Sequence, residues 1–466
     1  MLETLENVIY PIVCKFNEYI SNYVLVFMLL AVGSWYTIKT KFVQVRYFSE
    51  GFKHLIGNIN LFGKTQNGSM TSFQALATSI ASQVGTATII GSSAAILIGG
   101  PGSIFWMWAL AFLGMATIYA EATLSIQTRK IDEDGNIKGG PVYYILEAFK
   151  GRLGKFMAGF FSVSIILALG FMGCMVQANA ISFSIQEAFG IPTWIIGIFL
   201  VVTCSLIFIG DIKRLASVTE KLVPIMAMLF ILGCLVVLAI RIKYIPETFY
   251  MIFKYAFQPE AILGGGFWVA FKTAISQGAK RGLFANEAGL GSTPHAHALA
   301  NVKTPHEQGV VAMMGVFLDT FVIITLNALV IISTLYTVDG PLHNGYFNEA
   351  VTLLNENNLV QNAISSVFGS SFSGMFVALC LFFFGFSTIL GWNLFGKINV
   401  IYLFDKCKPK LFVIIYTVLA LCFIMLGTLV SSKLVWGLSD MFNNLMVIPN
   451  VLALFALTNL VLKIKK

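Results

Sequence analysis

"SQVGTATIIGSSAA", residues 82–95, lies inside an apolar stretch long enough to cross a bilayer, yet it carries a glutamine, threonines, serines and two glycines. An unwound helix in hydrocarbon leaves free N–H and C=O groups, which are tolerated only where they line a cavity inside protein. Such a run therefore signals either close packing through small residues or a discontinuous helix with ligands at its break. A second run bears on the choice. Residues 264–291 read "GGGFWVAFKTAISQGAKRGLFANEAGLG", apolar at the start, then polar and Gly-broken in the middle. In the span map below this is the seventh crossing, five after the second. A repeat of five crossings must return upside down, and paired Gly-interrupted spans at matching positions point to an inverted-repeat transporter. The amide end of a half-helix suits a carboxylate, and the freed carbonyls with nearby hydroxyls suit sodium.

Composition places the whole chain in a membrane. Its 466 residues are 57% hydrophobic and 11% charged, with mean hydropathy +0.82, whereas soluble domains carry roughly 25% charged residues. Spans of about 20 apolar residues fall at 20–38, 71–98, 103–127, 156–188, 193–209, 222–240, 263–286, 309–335, 372–396, 411–430 and 434–462. The expected fold is an all-α integral membrane protein of eleven transmembrane helices, a 5+5 inverted repeat preceded by one extra helix. Residues 1–70 hold that helix and an amphipathic inner-surface segment. The first repeat occupies 71–240, an outer interfacial connection 241–262, and the second repeat 263–466. Residues 341–370 carry no Lys or Arg, and either short helices over an outer vestibule or a passive connection fits them.

Charge sets the expected orientation. With the N-terminus outside, only Lys15, Arg241, Lys243, Lys254 and Lys433 of the 30 Lys and Arg fall outside, and Lys272 lies within a span. The others face inward, as the positive-inside rule requires, which puts the C-terminus in the cytoplasm. The +8 net charge is then topological, and no nucleic-acid partner is expected. Glu3 and Glu6 stand where a signal peptide would be positive, so the first span is expected to stay. The seven cysteines show no CxxC spacing and read as small core residues. No nucleophile–base pair or soluble domain suggests an enzyme. An ion channel, whose pore broken helices also line, is the rival from another class.

At these residues the sequence resembles the alanine or glycine:cation symporter family of bacteria and archaea. The matching stretches are "FQALATSIASQVGT" (73–86), "GGPGSIFWMWAL" (99–110), "GMATIYAEATL" (114–124), "GGPVYYI" (139–145), "RGLFANEAGLGSTPHAHA" (281–298), "QGVVAMMGVFLDT" (308–320) and "FGFSTILGW" (384–392). The resemblance implies a LeuT-type fold in a plasma membrane and sodium-coupled uptake of a small neutral amino acid, alanine or glycine. The runner-up is a proton-coupled or cation-independent permease. No cofactor is implied beyond the co-transported ion, and the oligomeric state is open. Carried over by position, the substrate would meet Ser82, Gln83, Gly85 and Thr86, then Phe171, Gln177 and Asn179, then Ser276, Gln277 and Gly278, and Trp392. Sodium would sit between the carbonyls of Ala81 and Val84 and the hydroxyls of Ser387 and Thr388. The family's usual "GTGNIAG" here reads "GTATIIG", so Ala87 and Thr88 replace a glycine and an asparagine. "GWNLFGK" likewise puts Asn393 and Lys397 where aromatic and acidic residues are common in relatives.

Several charges are candidates for coupling or gating. Lys272 lies about 12 Å along its span from Gly264, at 1.5 Å per residue. It either pairs with an acid, binds the substrate carboxylate or replaces a coupling cation, or it snorkels outward from a span that starts deeper. Asp319 either binds an ion or a proton, or locks helices by pairing. Glu121 and Glu287, beside Arg129 and Arg281, read as inner-gate salt bridges or as surface pairs. His295 and His297 form a lone HxH, which lacks the third ligand of a zinc site.

Overall fold

The computed structural model describes residues 2–57, 69–133, 135–210, 212–259, 266–343 and 354–464. Parts of the expected inner-surface segment (58–68), of the outer connection and the start of the seventh span (260–265), and of the 341–370 stretch (344–353) lie outside the described residues. The chain is predominantly helical, with two-residue strands only at Met70–Thr71, Lys130–Ile131, Ile137–Lys138 and Ala300–Asn301 among the described residues.

Among the described residues, seven helices are long and apolar enough to cross a membrane: Ser103–Thr128, Gly151–Phe189, Arg214–Ile240, Pro305–Tyr336, Ser370–Leu403, Pro409–Gly427 and Lys433–Ala456. An eighth candidate is the pair Ser72–Gln83 and Ala87–Gly99, bent by 48° at its break. Helices also stand at the other expected positions. Val26–Lys39 and Thr193–Phe208 are apolar but short, and Phe267–Asn286 carries Lys272, Lys280 and Arg281. By length and apolarity, then, seven or eight spans are found where eleven were expected.

The bent pair is buried along nearly its whole length. Thr71 starts it with a capping box: its hydroxyl accepts from Gln74 N at 3.0 Å, and Gln74 Oε1 accepts from Thr71 N at 3.1 Å. Serines, threonines and alanines follow, small enough to be enclosed on every side, and Phe73 and Ala75–Ile96 are buried without interruption. The outer layer is the opposite. Trp194, Phe199, Val202 and Leu206 on one helix, and Leu411, Ile414 and Val418 on another, are exposed, as a lipid-facing surface requires. Met70–Thr71 pairs in parallel with Ala300–Asn301, which ties the foot of the bent pair to the connection that follows the 267–286 helix.

That helix differs from expectation. It runs unbroken through Ser276, Gln277 and Gly278 and ends at Glu287, whose φ of 57° is left-handed. The glycines that interrupt are Gly289 and Gly291, with φ of 86° and 77°, about three turns beyond Gly278, where the sequence suggested a break. Alanines and the glycines at 278 and 282 do not break a helix when neighbours fill the gaps. A Cβ on Gly278 would lie 2.4 Å from Ser103 O, so its absence serves close packing there.

Candidate functional site

The first half-helix stops at Val84, with φ −81° and ψ 79°, and a π-helical turn resumes at Ala87. Val84 and Gly85 therefore leave the helical conformation at the buried centre of the protein, and Thr86 already returns to it. The Ser370–Leu403 helix lies against them. Thr388 Oγ1 donates to Ala81 O at 2.8 Å, and Ser387 Oγ reaches the same carbonyl at 3.4 Å. Both hydroxyls are fully buried. Three of the four expected sodium ligands are thus in one place, and Val84, the fourth, caps the same half-helix.

Gly85 is required by close approach: a Cβ there would stand 2.6 Å from Thr388 Oγ1 and 3.3 Å from Gln177 Oε1. Gly85→Ala is accordingly expected to lower the thermal unfolding temperature of the purified protein by several degrees, because overpacking a filled core costs about 1–3 kcal/mol. An unfolding temperature equal to the parent's would show that Thr388 and Gln177 make room for the methyl.

On the other flank Gln177 Oε1 accepts from Thr86 N at 3.0 Å. Gln83 Nε2 donates to Asn286 O at 2.9 Å. Ser82 Oγ donates to Ser79 O at 2.7 Å and to Glu287 Oε2 at 3.2 Å. Three buried polar atoms around the break have no hydrogen-bond partner among the described residues: Gln83 Oε1, Thr86 Oγ1 and Gln177 Nε2. Unsatisfied buried polar atoms cost about 1–3 kcal/mol each, so their clustering marks a place built for something polar.

Not every expected residue comes here. Asn179 lies 200° around its helix from Gln177 at 100° per residue and donates to Gly427 O and Val430 O, both at 2.9 Å. Phe171 stacks on Phe423 and leans on Tyr416. Both residues thus serve the packing of the Pro409–Gly427 helix. Trp392 donates to Glu287 Oε1 at 2.5 Å, under the break. Gln277 lines a cavity of about 310 Å³ together with Ile90, Gly91, Lys280, Arg281, Trp436 and Asp440. This cavity reaches Gly91, one turn beyond Thr88, and opens beside Glu18, Glu356 and Lys433. Lys280 pairs with Asp440 at 2.9 Å, and the Arg281 guanidinium lies 5.3 Å from the Trp436 ring centre. Lys272 is exposed, in the second turn of a helix that begins at Phe267.

The two glutamates are neither surface pairs nor partners of the arginines. Glu287 gathers Trp392, Ser292 Oγ (2.6 Å) and Ser82. Glu121 accepts from Gly289 N and Gly291 N, both at 3.1 Å, and from Asn450 Nδ2 at 2.6 Å. Both are buried. Arg129 donates instead to Ala298 O and Ala300 O, and Arg281 faces Trp436. The "NEAGLGS" run is thus a buried turn knotted by two carboxylates. His295 Nδ1 meets Ser292 O at 2.7 Å and its ring stacks on Phe395. His297 Nδ1 meets Gln308 Nε2 at 2.8 Å, so both histidines hold this turn in place. Asp319 Oδ1 accepts from Thr88 Oγ1 at 2.8 Å, a contact that the periodicity of the sequence did not reveal.

Residues 6–466 match the sodium:alanine symporter family. An uncharacterized transporter of Haemophilus influenzae is 37% identical over 442 residues, covering 95% of this chain and 87% of that one. The sodium/alanine symporter AgcS of Methanococcus maripaludis is 35% identical over 447 residues, covering 96% and 94%. A crystal structure of a mutant manganese transporter from Eremococcus coleocola is alike in fold, with a TM-score of 0.50 at 15% identity over 86% of this chain and 80% of that one.

Proposed function

The chain belongs to the sodium:alanine symporter family, a family of membrane transporters, and from this premise we propose that it imports a small neutral amino acid, alanine or glycine, together with sodium. The observation that carries this reading is the meeting of the Ser387 and Thr388 hydroxyls with the Ala81 carbonyl at the helix break. Hydroxyls and helix-end carbonyls are the oxygens that hold a transported sodium ion at a discontinuous helix. In this reading Ala81, Val84, Ser387 and Thr388 bind the ion. Ser82, Gln83, Gly85, Thr86 and Gln177 hold the amino acid, with Gln277 on its route of entry.

Eleven crossings follow if the short helices and Phe267–Asn286 also span, with 1–70 as the extra segment, 71–240 and 263–466 as inverted repeats, and 241–262 as their outer connection. In this reading the 310 Å³ cavity opens to the outside, so that Lys280 and Arg281, which the charge map counts as inward, line the outer route, and the Glu121–Glu287 turn lies inside. Transport is then alternating access. Ion and amino acid enter through the cavity, settle at the break, and reach the cytoplasm when Glu287 parts from Ser82 and Trp392.

The test is uptake of labelled alanine and glycine into liposomes under an inward sodium gradient, a proton gradient, or neither. Accumulation driven by sodium alone is expected. Accumulation driven by protons alone would replace sodium with the proton, and saturation-free conductance without either amino acid would make the protein a channel.

A further inference from the structure

We propose that Arg281 and Gln277 form a first station for the substrate in the 310 Å³ cavity, where the carboxylate of the incoming amino acid is held before it passes to the helix break; the inference rests on the symporter reading and deepens it. Both residues lie on the Phe267–Asn286 helix, four apart, and so share one face. Another face of that helix is sealed. A Cβ on Gly278 would meet Ser103 O at 2.4 Å, and one on Gly282 would meet Met107 Cγ at 3.3 Å. The cavity face lies beside glycines of the second half of the bent pair. A Cβ on Gly99 would stand 3.1 Å from Gln277 Cβ, and one on Gly91 would stand 3.9 Å from Arg281 Cδ.

Polar atoms on this face lack protein partners. Gln277 Oε1 and Arg281 Nε are buried and have no hydrogen-bond partner among the described residues. The Arg281 guanidinium stands over the Trp436 ring at 5.3 Å, and no carboxylate lies within ion-pair distance of it among the described residues. Its neighbour Lys280 is neutralised by Asp440 at 2.9 Å. Arg281 is thus the unneutralised cation beside Gly91. A guanidinium presents N–H donors in a planar fork that matches a carboxylate, and an amide oxygen accepts from an ammonium. Together they read the two groups that every α-amino acid carries and leave its side chain unread, so that selection by size falls to the break.

The station is separate from the break. Gly91 follows Gly85 by six residues, roughly 9 Å at helical rise, which is further than one alanine molecule spans. In the reading above, the station also gives a reason for an arginine on the outer route, where cations are otherwise few.

Two measurements on the full-length protein test the proposal. The first is sodium-driven uptake of labelled alanine into liposomes. Arg281→Gln should raise KM about tenfold, as expected for loss of a hydrogen bond between charged groups, with a smaller change in kcat. Arg281→Lys, which keeps the charge but not the fork, should fall between the two. Propionate, which is alanine without its ammonium, should compete with alanine in the parent and not in Arg281→Gln. Ethylamine, which lacks the carboxylate, should compete in neither. The second measurement needs no transport. The exposed Cys14 lines the same cavity, and propionate in sodium-free buffer should slow its alkylation by a membrane-impermeant maleimide in the parent and not in Arg281→Gln, read by peptide mass spectrometry.

An unchanged KM in Arg281→Gln overturns the station, as does propionate that neither competes with alanine nor protects Cys14 in the parent. A lowered kcat at unchanged KM overturns it by making Arg281 a gating residue. Uptake that requires chloride in the parent but not in Arg281→Gln overturns it by giving the guanidinium an inorganic anion instead. Protection of Cys14 by propionate in a parent that shows no sodium-driven uptake supports the carboxylate site and defeats the symporter reading, so the two failures are distinguishable.

Discussion

Thr388→Ala is expected to raise the half-saturating sodium concentration for uptake by about 10- to 100-fold while leaving the protein folded. The Thr388 hydroxyl is buried at the break and lies 2.8 Å from Ala81 O. A polar contact to a charged group is worth about 1.5–3 kcal/mol, and each 1.4 kcal/mol is a factor of ten. Thr388→Ser, which restores the oxygen, should stay within a few-fold of the parent. Sodium titrations of uptake in liposomes distinguish the two. Equal half-saturation in parent and alanine variant would remove Thr388 from the ion site and leave its role as packing against Gly85.

Glu121→Ala should be the more damaging change to stability. It strands the Gly289 and Gly291 amides and the Asn450 side chain, all of which now end on one buried carboxylate. Buried donors without acceptors cost about 1–3 kcal/mol apiece, so a loss of about 3 kcal/mol or more is expected. The left-handed glycines would then be held only by the Asn450 Nδ2 contact to Gly289 O at 2.9 Å. Glu121→Gln keeps one acceptor oxygen and should fall between the two. Thermal unfolding followed by tryptophan fluorescence reads the effect, with added alanine and sodium separating stability from ligand binding. An alanine variant that unfolds at the parent temperature would show that the turn stands without its carboxylate.

Much of this protein is legible along the chain because a bilayer imposes one-dimensional rules. A span needs about 20 apolar residues, cations gather on one side, and a polar run at mid-membrane requires protein around it. These rules locate the break near Gly85 and the apolar helices from residue 103 onward. They do not locate the interruption after Phe267–Asn286, because local composition treats Gly278 and Gly289 alike. Only the second adopts a positive φ, and only the neighbours that receive each glycine tell them apart. In the same way Gln177 and Asn179 are equally polar in sequence, yet one faces the break and the other the Pro409–Gly427 helix.

The charges were the least readable. Glu121 and Glu287 each have a cation close by in sequence, but their partners are backbone amides, an asparagine, serines and a tryptophan from other helices. Asp319 meets Thr88 across 231 residues of chain. Sequence by itself determined that this is a multi-pass membrane protein with a buried polar break, since hydrophobic burial depends on which residues follow one another. Which oxygens and amides converge at that break was decided by tertiary structure alone. A hydrogen bond acts over about 3 Å, and helix packing brings its partners to that distance from opposite ends of the chain.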